Sequence, residues 1–187
     1  MFLAATVAVF CLACSVNAQQ IPAGVRYKKA PDEINQKAKS MLESALAKSD
    51  DVNLEIISDG AIACGPLLWD ALKDQAGKEL REAKPMIVVI GAAKPLTKEG
   101  RGIITPKQKR AFWKLFVEKI KVSNSFTVKK AEAPEIQYYW ATIPFDIEEP
   151  RYIVDFGKVK VLVNFTVKNS EPKIFWIDIV GDLATLK

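Results

Sequence analysis

Two carboxylates with apolar neighbours are the residues of this chain best suited to acid–base chemistry. Asp178 lies between two isoleucines, and Asp155 lies between Val154 and Phe156. A carboxyl group in an apolar pocket has its pKa raised toward the working pH, which suits a general base. The 187 residues include no histidine. The chain therefore cannot build a Ser/His/Asp triad, a Cys/His dyad or a His-ligated metal site from its own residues, and we expect neither a metal nor a cofactor.

An aromatic run is the second place where chemistry is conceivable. Tyr138, Tyr139 and Trp140 are consecutive, and a buried tyrosine hydroxyl can act as a hydrogen-bond donor. Ordinary sheet packing is the other interpretation of these aromatics. Asp178 has its own alternative, because a strand with one polar face turns its Asp to solvent. Alternation along the last strand predicts that Ile174, Trp176 and Asp178 share one face, opposite Phe175, Ile177 and Ile179.

A basic segment is the third candidate site. Residues 94–121 hold nine Lys and Arg and two Glu, a net charge of +7, whereas the whole chain carries +5. Such a surface can bind anionic lipid, a polyanionic envelope polymer or an acidic partner, and a solvated helix face is the alternative. No nucleic-acid-binding motif is visible, so nucleic acid is not an expected partner. The candidate binding residues are Lys94, Lys98, Arg101, Lys107, Lys109, Arg110 and Lys114.

Residues 1–18 have the composition of a secretory signal peptide. Fifteen of them are apolar and none is charged, and residues 16–18 form an A-x-A-like cleavage signal before Gln19. The apolar run is shorter than the ~20 residues that span a bilayer, so no transmembrane segment is expected in the mature chain. We therefore predict export, to the periplasm or outside the cell. Lipidation of Cys14 is the alternative, although Leu12 stands one place too close to it for a good lipobox.

One cysteine remains after removal of this signal. Cys64 has no second thiol with which to form an intramolecular disulfide, and no histidine to act as its base. Its neighbours are apolar, so we expect a small buried core residue rather than a nucleophile.

Three helices are predicted before the long strands. Residues 31–49 and 66–83 each place apolar side chains on one helical stripe. A third helix begins at Thr105, followed by Pro106 in the first helical position, and Gln108 completes a capping box with Thr105.

From Phe126 onward the apolar period changes from about four to two. The clearest strand is 159–167, where Val and Phe alternate with Lys, Asn and Thr. Further strands are predicted from 86–90, 126–128, 135–143, 152–156 and 173–180. Helices followed by strands indicate an α+β fold: three N-terminal helices packed on a bent antiparallel sheet formed mainly by the C-terminal third. We expect a flexible leader at 19–30 and a single domain over 31–187.

The order of these elements resembles the nuclear-transport-factor-2-like superfamily. The segment "VDFGKVKVLVNFTVKNSEPKIFWIDIVGD" is similar to the last hairpin of those domains. The resemblance covers roughly residues 32–181 and concerns architecture alone. It implies a cone-shaped domain with a pocket at its open end. Some members are isomerases and cyclases that use a pocket carboxylate as base and a Tyr or Asp as donor, roles that would fall here to Asp178 and to Tyr138 or Tyr139.

Two functions therefore stand as expectations. The first is an exported, non-catalytic domain that binds a small ligand, or an envelope or protein partner, in a cone-shaped pocket or on the basic face. The second is a histidine-free isomerase or cyclase that uses a pocket carboxylate. A homodimer is compatible with both.

Overall fold

The fold is α+β, as predicted, with the helices ahead of a six-stranded sheet that is not closed. The structure is a computed structural model, and it describes residues 26–48, 54–58, 62–83, 101–120, 125–131, 146–148 and 150–180. The predicted signal segment and two predicted strands, 86–90 and 135–143, lie outside the described residues. Within the described ranges, no helix combines the length and the apolar composition needed to cross a bilayer.

Two of the predicted helices form as expected. Helix α1, Asp32–Ala47, buries Ala38, Leu42 and Leu46 along one stripe. Helix α4, Pro106–Lys119, begins with the predicted capping box. The Thr105 hydroxyl accepts the N–H of Gln108 at 3.1 Å, and the Gln108 side chain accepts the N–H of Thr105 at 3.1 Å. This arrangement satisfies donors that have no partner within the helix.

The predicted helix over 66–83 is wrong as a continuous element. It divides into helix α2, Pro66–Leu72, a 3₁₀ turn at Lys73–Gln75, and helix α3, Lys78–Arg81. Ala76 and Gly77 have extended backbones between the two helices. Glycine has low helix propensity, and here it serves as the residue before the first turn of α3. The apolar periodicity survives the break, because Ala76, Leu80 and Ala83 remain buried.

The main sheet is mixed: the strands of the C-terminal third pair antiparallel, as predicted, and one short strand from the N-terminal half joins them in parallel. Its strands are β2 (Ile62–Cys64), β3 (Arg101–Ile103), β4 (Thr127–Lys130), β6 (Arg151–Asp155), β7 (Lys160–Lys168) and β8 (Glu171–Val180). The spatial order is β3-β2-β8-β7-β6-β4. The pairing of β7 with β8 is antiparallel, as predicted, whereas β2 pairs with β8 in parallel. The two remaining strands, β1 (Arg26–Lys28) and β5 (Asp146–Glu148), pair in parallel, so the end of the predicted flexible leader forms a strand.

A β-bulge in β8 overturns part of the predicted face assignment. Asn164 pairs with Trp176 but the next residue, Phe165, pairs with Ile174, so Phe175 is an extra residue on β8. A bulge reverses the alternation of side chains beyond it. Ile174 is therefore fully buried on the same side as Ile177 and Ile179 rather than beside Trp176.

The two faces of the sheet differ in burial. The face toward the helices, called here the core face, carries residues that are all nearly inaccessible: Tyr152, Val154, Val161, Val163, Ile177 and Ile179. The Tyr152 hydroxyl donates to the Asn35 carbonyl of α1 at 2.5 Å. The opposite face, called here the second face, carries Arg151, Ile153, Asp155, Lys160, Leu162, Asn164, Trp176, Asp178 and Val180. Arg151 and Ile153 are buried and Lys160 is exposed, whereas the other residues of this face are partly buried.

Candidate functional site

Asp178 lies where β2 ends and helix α2 begins. The residue before the first turn of α2 is Gly65, which has no side chain to cap the helix. The Asp178 carboxylate takes this role from a distance of 110 residues, because its Oδ1 accepts the N–H of Leu68 at 3.0 Å. An N-cap Asp makes the same bond to the third residue of its own helix. Asp178, on β8, thus caps the N-terminus of α2.

Oδ1 of Asp178 also accepts a backbone N–H on the edge of β8, at the point where β2 ends. The amide of Gly65 donates to the Ile177 carbonyl at 2.8 Å, and β2 ends just before it. The next backbone N–H on this edge of β8 is that of Ile179, and it therefore has no β2 residue to pair with. It donates to Oδ1 of Asp178 at 2.8 Å.

The absence of a side chain at position 65 makes this arrangement sterically possible. A Cβ atom on Gly65 would lie 2.0 Å from Cγ of Asp178 and 2.1 Å from its Oδ2. Both distances are far below van der Waals contact, so any other residue at position 65 would displace the carboxylate. Oδ2 rests against Gly65.

Asp178 is the described carboxyl whose pKa is raised. Burial raises the pKa of Asp178 from 3.8 to about 6, although the N–H groups of Leu68, Ile179 and Leu67 act in the opposite direction. No described cation is close enough to offset the burial. Both burial and the nearby Asp178 charge raise the pKa of the Cys64 thiol well above 9.0.

Apolar side chains surround Asp178 on the second face. Leu162 is directly opposite it on β7, and Trp176 and Val180 precede and follow it on the same face of β8. All three are partly exposed. Lys160 lies beside this apolar strip, directly opposite Val180. Partly open apolar side chains with a few polar groups have the composition of a small-molecule site.

The second face is closed at β6. Ile153 is 2% exposed and Arg151 is 7% exposed, so the accessible part lies over β7 and β8. Arg151 Nε donates to Oδ1 of Asn164 at 2.8 Å. Because arginine only donates, this bond fixes the amide orientation of Asn164.

The remaining acid–base candidates divide into two groups. Tyr138 and Tyr139 lie outside the described residues, as does Trp140. Asp155 is a turn residue: its Oδ1 accepts the N–H of Gly157 at 2.8 Å and its Oδ2 lies 3.4 Å from Lys160 Nζ. The Gly157 amide, together with Lys160, lowers the pKa of Asp155. A lowered pKa makes Asp155 a poor base.

The structure describes five of the seven residues of the predicted basic face. Lys94 and Lys98 lie outside the described residues, and Arg101 begins β3. Lys109 is a correction: it is 7% exposed, and its ammonium donates inward to the Ser58 carbonyl. Its apolar neighbours on α4, Phe112 and Trp113, place it on the helix stripe that faces the core.

The exposed cations of α4 are partly neutralised. Lys107 lies 2.8 Å from Glu79, and Lys114 lies 3.8 Å from Glu118. Arg110 is exposed and has no ion pair within the described chain. Ion pairs of this kind weaken the field that would attract an anionic partner.

Metal binding is unsupported, and the comparisons give no relative. Among the described residues, no group of three or more Cys, Asp or Glu side chains is placed to hold a metal ion. No protein-family model, curated protein or solved structure matches this chain. The functional interpretation therefore depends on the geometry around Asp178.

Proposed function

We propose that this protein is an exported, non-catalytic domain that binds a small apolar ligand on the second face of its sheet. The observation that supports it is the partly exposed apolar strip of Leu162, Trp176 and Val180 around Asp178. Monomeric proteins normally cover such strips unless a partner or ligand uses them. Export is proposed from the composition of residues 1–18. Membership of the nuclear-transport-factor-2-like superfamily, which the element order suggests, stays a proposal too.

The structural role of Asp178 favours binding over catalysis. Its Oδ1 is occupied by two backbone N–H groups, and moving the carboxylate would uncap α2. A catalytic base must exchange protons without disturbing the structure that holds it. Tyr152, the described tyrosine of the main sheet, donates its hydroxyl to α1 on the core face and cannot serve as the hydrogen-bond donor beside Asp178.

Ligand binding can be tested with 2-naphthalenemethanol as a neutral apolar probe. We expect it to shift the NMR signals of the Trp176 indole and the Leu162 methyl groups. Trp176→Ser should weaken binding at least fivefold, because the ring supplies much of the strip. Val167→Ser is the matched control: Val167 is 38% exposed on the opposite face of β7, so its replacement should leave the affinity unchanged. Signals that shift on α4 instead, or equal binding by Trp176→Ser, would contradict the proposal.

An isomerase or cyclase is the second candidate, favoured by one observation. The pKa of Asp178 at about 6 is suitable for a base near neutral pH. Deuterium exchange at the α-carbons of cyclic ketones, followed by NMR in D₂O, tests this function. Exchange that Asp178→Asn abolishes would establish the enzyme, and exchange at the buffer rate would exclude it for those ketones.

The basic face of α4 offers a further mode of partner binding. Lys107, Arg110 and Lys114 fall on one exposed side of the helix. An anionic envelope component or a second copy of the chain are the partners proposed for it. Charge reversal at Arg110, which has no ion pair with the described residues, should reduce binding to anionic vesicles if this surface is used, and the loss should be largest at low salt.

A further inference from the structure

A single side chain on β8 holds the beginning of helix α2. The Asp178 carboxylate accepts the N–H of Leu68 at 3.0 Å, and the N–H of Leu67 also acts on it. The same carboxylate accepts the N–H of Ile179 at 2.8 Å. Gly65, the residue before the first turn of α2, has no side chain with which to cap the helix. Backbone donors on two elements therefore depend on one carboxylate.

The carboxylate can leave this position without unfolding the protein. Asp178 is only partly buried on the second face, and so is Leu162, which lies opposite it on β7. Rotation about the side-chain bonds of Asp178 would bring the carboxylate out to water. Leu68 and Leu72 are fully buried in the core and would keep α2 on the sheet. The geometry therefore allows two positions of the carboxylate, one held at α2 and one in water.

The other ionisable groups near Asp178 come from the elements packed against it. Those among the described residues are Cys64 on β2, Asp70 on α2, Lys160 and Lys168 on β7, and Glu171 and Lys173 on β8. Burial and the Asp178 charge raise the pKa of the Cys64 thiol well above 9.0, so the thiol stays neutral. Lys160 lies opposite Val180 and pairs with Asp155 at 3.4 Å. Burial raises the pKa of Asp178, and three backbone amides lower it.

We propose that Asp178 is a pH-sensitive latch, in which the protonated carboxyl group stays at the N-terminus of α2 and the ionised group leaves for water more often. The physical reason is the balance between burial and solvation. Water stabilises a released carboxylate strongly, whereas a neutral carboxyl group loses much less when it is buried. The neutral group can still accept the Leu68 N–H through an oxygen lone pair. This conformational device does not depend on the proposed ligand.

The difference between two pKa values determines how strongly the latch responds to pH. The pKa of Asp178 is about 6 in the held position, and its ordinary value, expected once the carboxylate is in water, is 3.8. Proton linkage then makes the ratio of released to held molecules rise roughly 60-fold between pH 4 and pH 7.5. Most of this rise falls below about pH 6, where the held carboxyl group is still mainly protonated.

Amide hydrogen exchange, measured by NMR on the full-length chain, tests the latch. The protection factors of the Leu68 and Ile179 amides, corrected for the intrinsic effect of pH on exchange, should fall roughly 60-fold from pH 4 to pH 7.5. Unfolding also exposes Asp178, so each measurement is repeated in low urea. Release of one side chain exposes little surface, so these protection factors should not depend on urea, whereas those of the β7 amides should fall with it.

Two variants isolate the carboxylate. In Asp178→Asn, the protection factors of Leu68 and Ile179 should be the same at pH 4 and pH 7.5, because asparagine does not ionise. Asp155→Asn is the matched control: it removes a carboxylate that also accepts a backbone N–H, that of Gly157, but whose pKa is lowered. It should leave the pH response of Leu68 and Ile179 intact.

Each outcome supports or overturns the latch. If the protection of Leu68 and Ile179 falls with urea in parallel with that of β7 at every pH, these amides open only by unfolding and the latch is wrong. Urea-independent protection that stays constant between pH 4 and pH 7.5, or that keeps its pH response in Asp178→Asn, would overturn it as well. If Asp178→Asn proves unfolded, the urea and pH dependence of the unmodified protein still decides the question.

Discussion

Replacing Asp178 by asparagine should stabilise the protein at neutral pH. Asparagine retains an oxygen that can accept the Leu68 N–H, and it removes a charge that burial disfavours. The pKa of Asp178 is 3.8 in an unfolded chain and about 6 in the fold. At ~1.36 kcal/mol per pKa unit, the ionised group lowers the free energy of unfolding by about 3 kcal/mol relative to a neutral one.

The sign of the pH dependence follows from this difference. The folded protein binds the Asp178 proton more tightly than the unfolded chain, so the contribution of Asp178 is most favourable below about pH 4. It declines as the pH rises from about 4 to 6 and is constant above about pH 7. The stability advantage of Asp178→Asn should therefore be about 0.6 kcal/mol at pH 4 and reach about 3 kcal/mol at pH 7.5.

Urea unfolding followed by tryptophan fluorescence at pH 4, 5, 6 and 7.5 measures this advantage. Asp155→Asn provides a control of opposite sign: the pKa of Asp155 is lowered from 3.8, so that variant should be less stable than the unmodified protein across this pH range and approach it only below about pH 4. An advantage of Asp178→Asn that stays constant or shrinks between pH 4 and 7.5 would refute the assignment of a buried, uncompensated carboxylate.

Three further predictions concern local contacts. Gly65→Ala should lower the free energy of unfolding, measured with urea, by at least about 2 kcal/mol, because its Cβ would force the Asp178 carboxylate away from two N–H groups. A loss below about 0.5 kcal/mol would contradict the close contact between Gly65 and Asp178. Thr105→Ala should cost about 1 kcal/mol by removing the capping box of α4, measured in the same way, and no loss would show that the cap is dispensable. The Cys64 thiol, which is fully buried with a raised pKa, should react with a thiol reagent only on the unfolding timescale, and rapid labelling of the folded protein would be evidence against its burial.

Local sequence signals predicted the elements that depend on near neighbours. The alternation of Val and Lys in β7 predicted a strand paired with β8, and the order Thr105-Pro106 with Gln108 predicted how α4 begins. Both signals act within a few residues, so no knowledge of the rest of the chain was needed. The prediction of one continuous helix over 66–83 was wrong, because it relied on apolar periodicity alone. Two short helices bury Leu72 and Leu80 with the same periodicity.

The arrangement around Asp178 could not be predicted, because it joins distant parts of the chain. The three residues of β2 carry no strand signal of their own, and their parallel pairing with β8 depends on the rest of the sheet. The apolar pattern of β8 does not indicate the bulge at Phe175 either, although the bulge determines which face Ile174 occupies. One signal was available: Gly65 before Pro66 leaves α2 without a capping side chain, which implies a cap from elsewhere.

The pKa of the Asp178 carboxyl group is the quantity on which the proposed site depends most directly. It can be measured by following the ¹³Cγ signal of Asp178 from pH 3 to pH 9 in the folded, full-length chain. The structure predicts a midpoint near pH 6, because the carboxylate is buried and no described cation lies near it. A midpoint at or below the ordinary value of 3.8 would mean that Asp178 is solvated or paired, and would remove the basis for a ligand site around it.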